Sequence, residues 1–391
     1  MKIVLIVDKF KESLSAGEVA EIITAGLQHR KKGDIIYSIP LADGGDGTVE
    51  ALGGIADGQK ISVETVDPLG RKIVAVALRI GDRYICEMAQ STGLVLLSKE
   101  ERDPTQTSSY GLGIMIKNIA GMGAKELIVG IGGSATNDCG VGMLQALGYR
   151  FYDKKGDVLK PLSEDKRSVK ESLSFENENR EDMLRGKDLI RIGGVDDSEV
   201  PEFIKQVKII VANDVTNPLT GIYGATKVYG PQKGATTTII EELESGVVNF
   251  AGVAAKFLGE NYSGVSGAGA AGGVGFALHA FLRAELRQGW RLLFDMLDVE
   301  KRIKEADLVI TGEGRVDGQS LSGKLMDGIC SMCAKHNKRL IVICGDNRLT
   351  EKELERAGVE KLFAISHREP VKERAIKNAR QHLYEIAGQI E

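Results

Sequence analysis

Short apolar runs alternate with amphipathic segments at both ends of the chain, and this alternation restricts the possible folds more than any other feature. Residues 3–7 form the first apolar run, and residues 15–30 follow with apolar side chains at helical spacing. Ser15 and Glu18 stand in capping-box positions at the start of that predicted helix. Comparable apolar runs occur at 34–39, 306–311, 339–344 and 361–365. Strands that alternate with helices form parallel sheets, so the sequence predicts an α/β fold.

The middle of the chain has a different pattern. Residues 60–87 predict two strands joined by the turn sequence Asp67-Pro68-Leu69-Gly70. Because 391 residues exceed the roughly 250–300 at which a single core stops growing, we expect two domains. The simplest organisation is a discontinuous, doubly wound parallel-sheet domain of residues 1–60 and 295–391, with a second α/β domain of residues 61–294 inserted into it. An active site is then expected in the cleft between the domains.

Composition argues against several classes of protein. A net charge of −4 and a pI near 5.9 give no electrostatic footprint for nucleic-acid binding. No apolar run approaches the roughly 18 residues that would predict a membrane span. The start MKIVLIVDKF has no signal-peptide cleavage site, and five scattered cysteines do not indicate a disulfide framework. Cys330 and Cys333 lie inside a predicted helix, which favours packed thiols. The sequence therefore predicts a cytoplasmic enzyme.

Glycines cluster where strands lead into helices, and the densest cluster is the stretch PLADGGDGTVE at residues 40–50. Asp43 and Asp46 stand there among Gly44, Gly45 and Gly47. Glycines let the backbone approach a phosphate closely, and neighbouring carboxylates repel each other unless a cation lies between them. The stretch therefore predicts a phosphate-and-metal loop. The alternative is a solvated loop without function.

Four further strand-to-helix junctions carry polar side chains of the kind that bind anions. Each one alone is compatible with an ordinary turn, and Asp138 is as compatible with a helix cap as with catalysis. Together they predict anion binding and phosphoryl chemistry at the carboxyl ends of strands. The candidate binding residues, in chain order, are Lys9, Lys11, Ser13, Ser134, Asn137, Asn213, Asp214, Asn217, Lys233, Glu313, Asp317 and Lys324.

Two nucleotide-binding motifs are matched only in part. Residues 267–272, GAGAAG, fit G-x-G-x-x-G, but no strand is predicted directly before them, which disfavours dinucleotide binding. Residues 318–324, GQSLSGK, approach a P-loop, but Leu325 stands where a Ser or Thr would hold magnesium. The preceding strand, at 306–311, is also predicted to end too early. The sequence therefore does not predict a P-loop NTPase.

Taken as a set, these blocks resemble the glycerate kinase type-1 family over essentially the whole chain. The blocks are DKFKESLSAGEVA, PLADGGDGTVEAL, VDPLGR, GIGGSATNDCGVGMLQALG, ANDVTNPLTGIYGAT, YGPQKGAT, GAGAAGGVGFAL and TGEGRVDGQSLSGK. Asn213 departs from the family's usual cysteine, Ser320 from threonine and Met326 from proline. The resemblance implies ATP-dependent phosphorylation of glycerate, with the 2-hydroxyl favoured, by a two-domain α/β enzyme.

Phosphoryl transfer requires cations around the transferred group and a carboxylate that orients or deprotonates the attacking hydroxyl. Glycerate also has a carboxylate, for which Arg102 is the first candidate and Arg71 and Arg315 are others. The expected roles are Lys9, Lys11 and Lys324 for anionic groups, Asp43 and Asp46 for Mg²⁺, and Asp214 or Asp317 as the base. Alternatives are a kinase for another small hydroxy acid and a non-catalytic sensor of phosphorylated acids.

Overall fold

The computed structural model describes residues 1–10, 12–41, 49, 52, 58–161, 183–323 and 325–391. Among these, residues up to 41, residue 52 and residues 289–391 form one compact unit, the first unit. Residue 49 and the described residues from 58 to 288 form another, the second unit. The domain boundaries predicted at 60/61 and 294/295, and the predicted location of the active site between the domains, stay predictions.

The strands of the described residues are numbered here in chain order. They are β1 (Lys2–Val7), β2 (Ile35–Pro40), β3 (Gln59–Val66), β4 (Lys72–Ile80), β5 (Arg83–Glu87), β6 (Glu126–Gly130), β7 (Arg150–Asp153), β8 (Ile192–Asp196), β9 (Lys208–Ala212), β10 (Glu285–Arg287), β11 (Leu308–Val316), β12 (Arg339–Asn347) and β13 (Lys361–Ala364).

The helices of the described residues lie between these strands and, at the end of the chain, after β13. They are Ala16–Arg30, Ala89–Thr92, Tyr110–Gly121, Val141–Leu147, Glu202–Gln206, Ala225–Tyr229, Thr237–Leu258, Ala270–Leu282, Gly289–Met296, Val299–Glu305, Leu325–Lys335, Glu351–Arg356, Lys372–Lys377 and Ala379–Ala387, with short 3-10 turns at Leu94–Leu96, Gly186–Arg191, Pro231–Lys233 and Ile365–His367. None of them is long and apolar enough to cross a membrane.

In the first unit the described strands form a parallel sheet in the order β13-β12-β11-β1-β2. The helix Ala16–Arg30 begins with the predicted capping box, in which Ser15 and Glu18 exchange hydrogen bonds with each other's backbone. Its residues Val19, Ile23 and Leu27 are fully buried because they face the apolar side chains of β1 and β11. The predicted helix and its cap are therefore confirmed.

In the second unit the described strands form a mixed sheet in the order β10-β9-β6-β5-β4-β3. The predicted strand pair is present as antiparallel β3 and β4, and Asp67 closes the turn between them by accepting hydrogen bonds from the amides of Leu69 and Arg71. Strand β5 continues this meander and then pairs parallel with β6, which the sequence did not indicate. The α/β fold class is confirmed.

Strand β11 is longer than predicted. The apolar run at 306–311 was expected to end the strand, but the pairing with β12 continues to Val316, which lies opposite Asn347. Glycines in this part of β11 and in β12 let the two backbones stay in contact without apolar side chains. A side chain at Gly312 would clash with the carbonyl oxygen of Ile343.

Candidate active site

A cavity of about 500 Å³ lies at the carboxyl ends of β1, β11, β12 and β13 in the first unit. From β1 the chain continues to β2, toward one edge of the sheet, and from β11 it continues to β12, toward the other edge. The carboxyl ends of β1 and β11 therefore flank a topological switch point, where open α/β sheets bind their ligands. Asp8 and Glu313 line the cavity there, and the Asp8 amide donates a hydrogen bond to the carbonyl of Gly312 at 2.9 Å.

The cavity brings together several residues that the sequence singled out. Lys9 and Ser13, after β1, line it with Glu313 and Asp317, which come from 300 residues further along the chain. The Oδ1 atom of Asp317 accepts a hydrogen bond from the amide of Gln319 at 2.9 Å, which fixes this carboxylate at the start of its loop. The sequence reasoning missed other charged residues of the lining, and these are Asp8, Glu12, Asp346, Arg348, Glu369 and Lys372.

Ion pairs organise part of this lining. Asp346 is 2.9 Å from the guanidinium of Arg348 and 3.8 Å from that of Arg315. Lys372 pairs with Glu12 at 3.0 Å. These side chains are largely exposed, so the pairs contribute little to stability. They do hold cationic groups at the mouth of the cavity, where an anionic ligand can compete for them.

Several predicted site residues lie outside the residues that the structure describes. These are Lys11, Asp43, Gly44, Gly45, Asp46, Gly47 and Lys324. The first described residue after Gly47 is Val49, and its amide donates a hydrogen bond to Oε1 of Glu87 at 3.1 Å. Glu87 is 2% exposed and ends β5. The sequence analysis missed it, although a carboxylate that ends an apolar strand was the available signal.

The second unit places Lys233 in its interior. The side chain is 1% exposed, and Nζ donates hydrogen bonds to Oγ of Ser134 at 2.8 Å and to the carbonyl of Thr136 at 2.6 Å. Burial lowers the pKa of Lys233 to about 7, and the charge of Asp138 opposes this shift. The residue is thus not an ordinary exposed loop lysine. The fold brings it together with Ser134, as a binding role for both would require.

Asp138 has a structural role. Its carboxylate accepts hydrogen bonds from the amide and hydroxyl of Ser109, at 2.8 and 2.7 Å, and from the amides of Gly140 and Gly142. Burial raises its pKa, and these hydrogen bonds oppose the shift. Asp138 thereby joins the starts of the helices Tyr110–Gly121 and Val141–Leu147, which agrees with the capping alternative.

The asparagines after β9 shape their own loop. The side chain of Asn213 donates from Nδ2 to the carbonyl of Val215 and accepts at Oδ1 from the amide of Val215, both at 3.0 Å. Asn217 donates to the carbonyl of Tyr223 at 2.8 Å and accepts from the hydroxyl of Tyr229 at 2.6 Å. Asp214 follows Asn213 at the carboxyl end of β9 and is half-buried. Across the same edge, Asn137 donates to Thr226 at 3.0 Å.

The glycine-rich segment 267–273 packs against both of these polar loops. Gly272 has a φ of 66°, and any side chain there would clash with the carbonyl of Thr136. A side chain at Gly267 would clash with the amide of Asn213. No strand directly precedes the segment, as predicted, so close packing explains its G-x-G-x-x-G pattern without a dinucleotide.

The three arginine candidates for a carboxylate ligand differ in their partners. Arg71 is engaged by Asp67 and, at 2.6 Å, by Glu101. Arg315 lines the cavity of the first unit. The buried Nε of Arg102 has no hydrogen-bond partner among the described residues. The backbone of Arg102 also touches Gly234, the residue next to Lys233.

Neither the acidic residues nor the thiols of the described ranges form a closed metal site. Within the described residues, no group of three or more His, Cys, Asp or Glu side chains could hold a metal ion. Cys330 and Cys333 are free and buried in the helix Leu325–Lys335, and burial raises the pKa of each thiol to about 12. The packed-thiol prediction is therefore confirmed.

Comparison with known proteins gives one consistent result. The model of the glycerate kinase family matches residues 3–391. A glycerate kinase of Bacillus subtilis is 37% identical, and the alignment covers 100% of this chain and 97% of that protein. A glycerate 2-kinase of Escherichia coli K12 is 39% identical, and the alignment covers 93% of this chain and 90% of that protein. A crystal structure from Salmonella typhimurium LT2, also assigned as a glycerate kinase, superposes with a TM-score of 0.79 at 38% identity and covers 99% of this chain and 96% of its own.

Proposed function

The chain belongs to the glycerate kinase family, and we therefore propose that it transfers the γ-phosphoryl group of ATP to the 2-hydroxyl of D-glycerate. In this reaction the hydroxyl loses its proton, a P–O bond forms to glycerate, and the bond to ADP breaks. The observation that carries the proposal is the family match over the whole chain, together with 39% identity to a relative named glycerate 2-kinase.

The residues at the carboxyl edges of the two sheets support this chemistry. Lys9 and Arg315 line the cavity of the first unit as cations, and phosphoryl transfer depends mainly on positioning and charge neutralisation. Asp317 in the first unit and Asp214 in the second remain the proposed bases, since a carboxylate must accept the proton of the attacking hydroxyl. Arg102, with its buried Nε, remains the proposed partner of the glycerate carboxylate.

Magnesium is the metal that this reaction calls for, and it would neutralise charge on the transferred phosphoryl group. The proposed ligands Asp43 and Asp46 lie outside the described residues. The carboxylates that line the cavity, Asp8, Glu313 and Asp317, have the oxygen donors that Mg²⁺ prefers. Kinases hold Mg²⁺ with one or two carboxylates plus substrate phosphates, so two of these side chains would suffice.

The remaining binding assignments are part of the same proposal. Ser13 and Glu313 belong to the first unit, and Ser134, Asn137, Asn213, Asn217 and Lys233 to the second. The glycine-rich stretch from Gly44 to Gly47, Lys11 and Lys324 complete the set. A cytoplasmic location is proposed with them. The comparisons lend no support to a sensor or to a kinase for a different acid.

Phosphorus NMR of the product tests the proposal directly. We expect purified protein with ATP, Mg²⁺ and D-glycerate to release ADP and to give the resonance of 2-phosphoglycerate. The resonance of 3-phosphoglycerate would refute the 2-hydroxyl assignment alone. If no ADP appeared with glycerate but did with hydroxypyruvate or tartronate, the substrate assignment would be wrong. Binding without any turnover would favour the sensor.

A further inference from the structure

The cavity of the first unit is lined by both charged and apolar side chains. At the carboxyl ends of β1, β11 and β12 its lining is charged, and Lys9 and Arg315 belong to this part. Apolar side chains after β13 also line the cavity: Ile365 and Ala379 are buried in the core of the unit and Ala375 is half-buried, and these three are called the apolar wall. A ligand that fills this cavity must therefore have an apolar part and a strongly polar part.

Two glycines form part of the lining at the carboxyl ends of β11 and β12. Gly314 in β11 and Gly345 in β12 both line the cavity, and a side chain at Gly345 would clash with the carbonyl of Gly314. Both glycines are half-buried, so main chain without side chains forms this part of the lining. Glycines with this role are typical of sites where the backbone approaches a phosphate.

Size separates the two substrates of a glycerate kinase. The volume of about 500 Å³ lies within the roughly 300–1,000 Å³ of pockets that enclose drug-sized ligands. A nucleotide is of that size, whereas a three-carbon acid would leave most of the cavity empty. The acid also has no apolar part that could cover Ile365 and Ala375.

The charges of the lining point to a nucleotide that brings a cation with it. Among the described residues of the lining, Lys9, Arg315, Arg348 and Lys372 are the cations, and carboxylates outnumber them. Three of these cations, Arg315, Arg348 and Lys372, already pair with lining acids. A bare polyphosphate would be repelled by the excess of carboxylates, but a metal-bound polyphosphate would not.

We propose that this cavity is the nucleotide site, with the adenosine against the apolar wall of Ile365, Ala375 and Ala379 and the phosphates at the carboxyl ends of β1, β11 and β12. The proposal rests on the proposed function in taking ATP as the phosphoryl donor. It goes further by assigning the donor to the first unit and by leaving glycerate to residues outside this cavity.

A bulky side chain in the apolar wall tests the assignment. Ala375 and Lys377 lie in the same short helix, but only Ala375 lines the cavity, and Lys377 is exposed. We expect Ala375→Trp to raise the KM for ATP about tenfold or more while the KM for glycerate changes less than about twofold. Lys377→Trp is the matched control and should leave both constants unchanged. A rise confined to the glycerate KM in Ala375→Trp would overturn the proposal.

Photolabelling of the wild-type protein gives an answer that does not depend on turnover or on a variant that folds. With 8-azido-ATP and Mg²⁺, light should attach the adenine to peptides that contain residues 361–379, and excess ATP should suppress the labelling. Labelling mainly within residues 131–140 or 213–236 of the second unit would refute the assignment. Specific labelling of 361–379 in a protein that fails to phosphorylate glycerate would refute the proposed function and leave the nucleotide site standing.

Discussion

Lys233 shows how a distant partner changes the chemistry of a single residue. In the sequence it stands between Gln232 and Gly234 in a polar loop, and nothing nearby predicts burial. Its hydrogen-bond acceptor Ser134 is 99 residues away. Its pKa is depressed by burial, which depends on tertiary structure that no local pattern encodes.

Burial of Lys233 should make stability depend on pH. The pKa is about 7 in the folded protein and near the ordinary 10.5 when unfolded, so between these values only the unfolded chain is protonated. The unfolded state then binds more protons, and the free energy of unfolding contributed by this group rises with pH. We expect urea denaturation to show the wild type gaining roughly 1–4 kcal/mol over Lys233→Met between pH 7 and about 10.

The comparison with Lys233→Met removes the opposing effect of the buried cysteines, which is common to both proteins. Burial raises their pKa values, so the unfolded chain loses thiol protons first and stability falls at high pH. A constant difference between wild type and variant across this pH range would show that Lys233 is charged in the folded protein.

Asp46 carries the sharpest prediction from the glycine-rich stretch. We expect Asp46→Asn to abolish turnover with ATP and glycerate, because loss of the charge removes a proposed ligand of magnesium. The melting temperature should stay within a few degrees of wild type. Activity near the wild-type level at saturating Mg²⁺ would favour the alternative, in which the stretch is a solvated loop without function.

At the scale of elements, local signals predicted most of the first unit. The apolar runs and the Ser15 capping box sufficed for β1, the first helix and β12, because these features act within a few residues. The end of β11 was missed because residues 312–315 are glycines and charged residues, which continue the strand by pairing with β12 without an apolar run. Strand β5 was missed for a similar reason, since its place in the sheet depends on β6.

The contact between residues 267–273 and the polar loops could not be read from the glycine pattern either. Because Gly272 has a φ of 66° and touches the carbonyl of Thr136, we expect Gly272→Ala to lower the free energy of unfolding by roughly 2–5 kcal/mol. Gly252→Ala is a matched control in the helix Thr237–Leu258, where a side chain would meet nothing within 4 Å. It should raise stability by roughly 0.5–1 kcal/mol.

Urea denaturation of the two glycine variants, followed by circular dichroism, measures both effects. If Gly272→Ala were as stable as wild type, the segment would not pack against Thr136 as the structure shows. Loss of kinase activity in a stable Gly272→Ala would instead indicate that the segment has a more direct role at the site.

At the scale of the molecule, one chain builds two units with different kinds of sheet. The ends of the chain form the parallel sheet because their strand–helix alternation permits little else. Prediction of the mixed sheet in the second unit would require knowledge of strand partners that are far apart in sequence, such as β5 and β6 or β9 and β10.

Trp290 provides a probe of the first unit alone, since it is the single tryptophan of the chain and is 4% exposed. If the nucleotide binds this unit, ATP with Mg²⁺ at about a hundred times its Kd should stabilise it by roughly 2.7 kcal/mol. The urea midpoint followed by Trp290 fluorescence should therefore rise, and glycerate alone should not produce this rise. An unchanged midpoint at saturating ATP would contradict nucleotide binding in the first unit.

All five cysteines lie within the described residues, and all are buried. A folded molecule of this kind offers no native thiol to a maleimide reagent. A single cysteine introduced on the surface would therefore be the sole point of attachment for a dye or spin label. Pairs of such labels, one in each unit, would make the protein suitable for single-molecule distance measurements without first removing its natural cysteines.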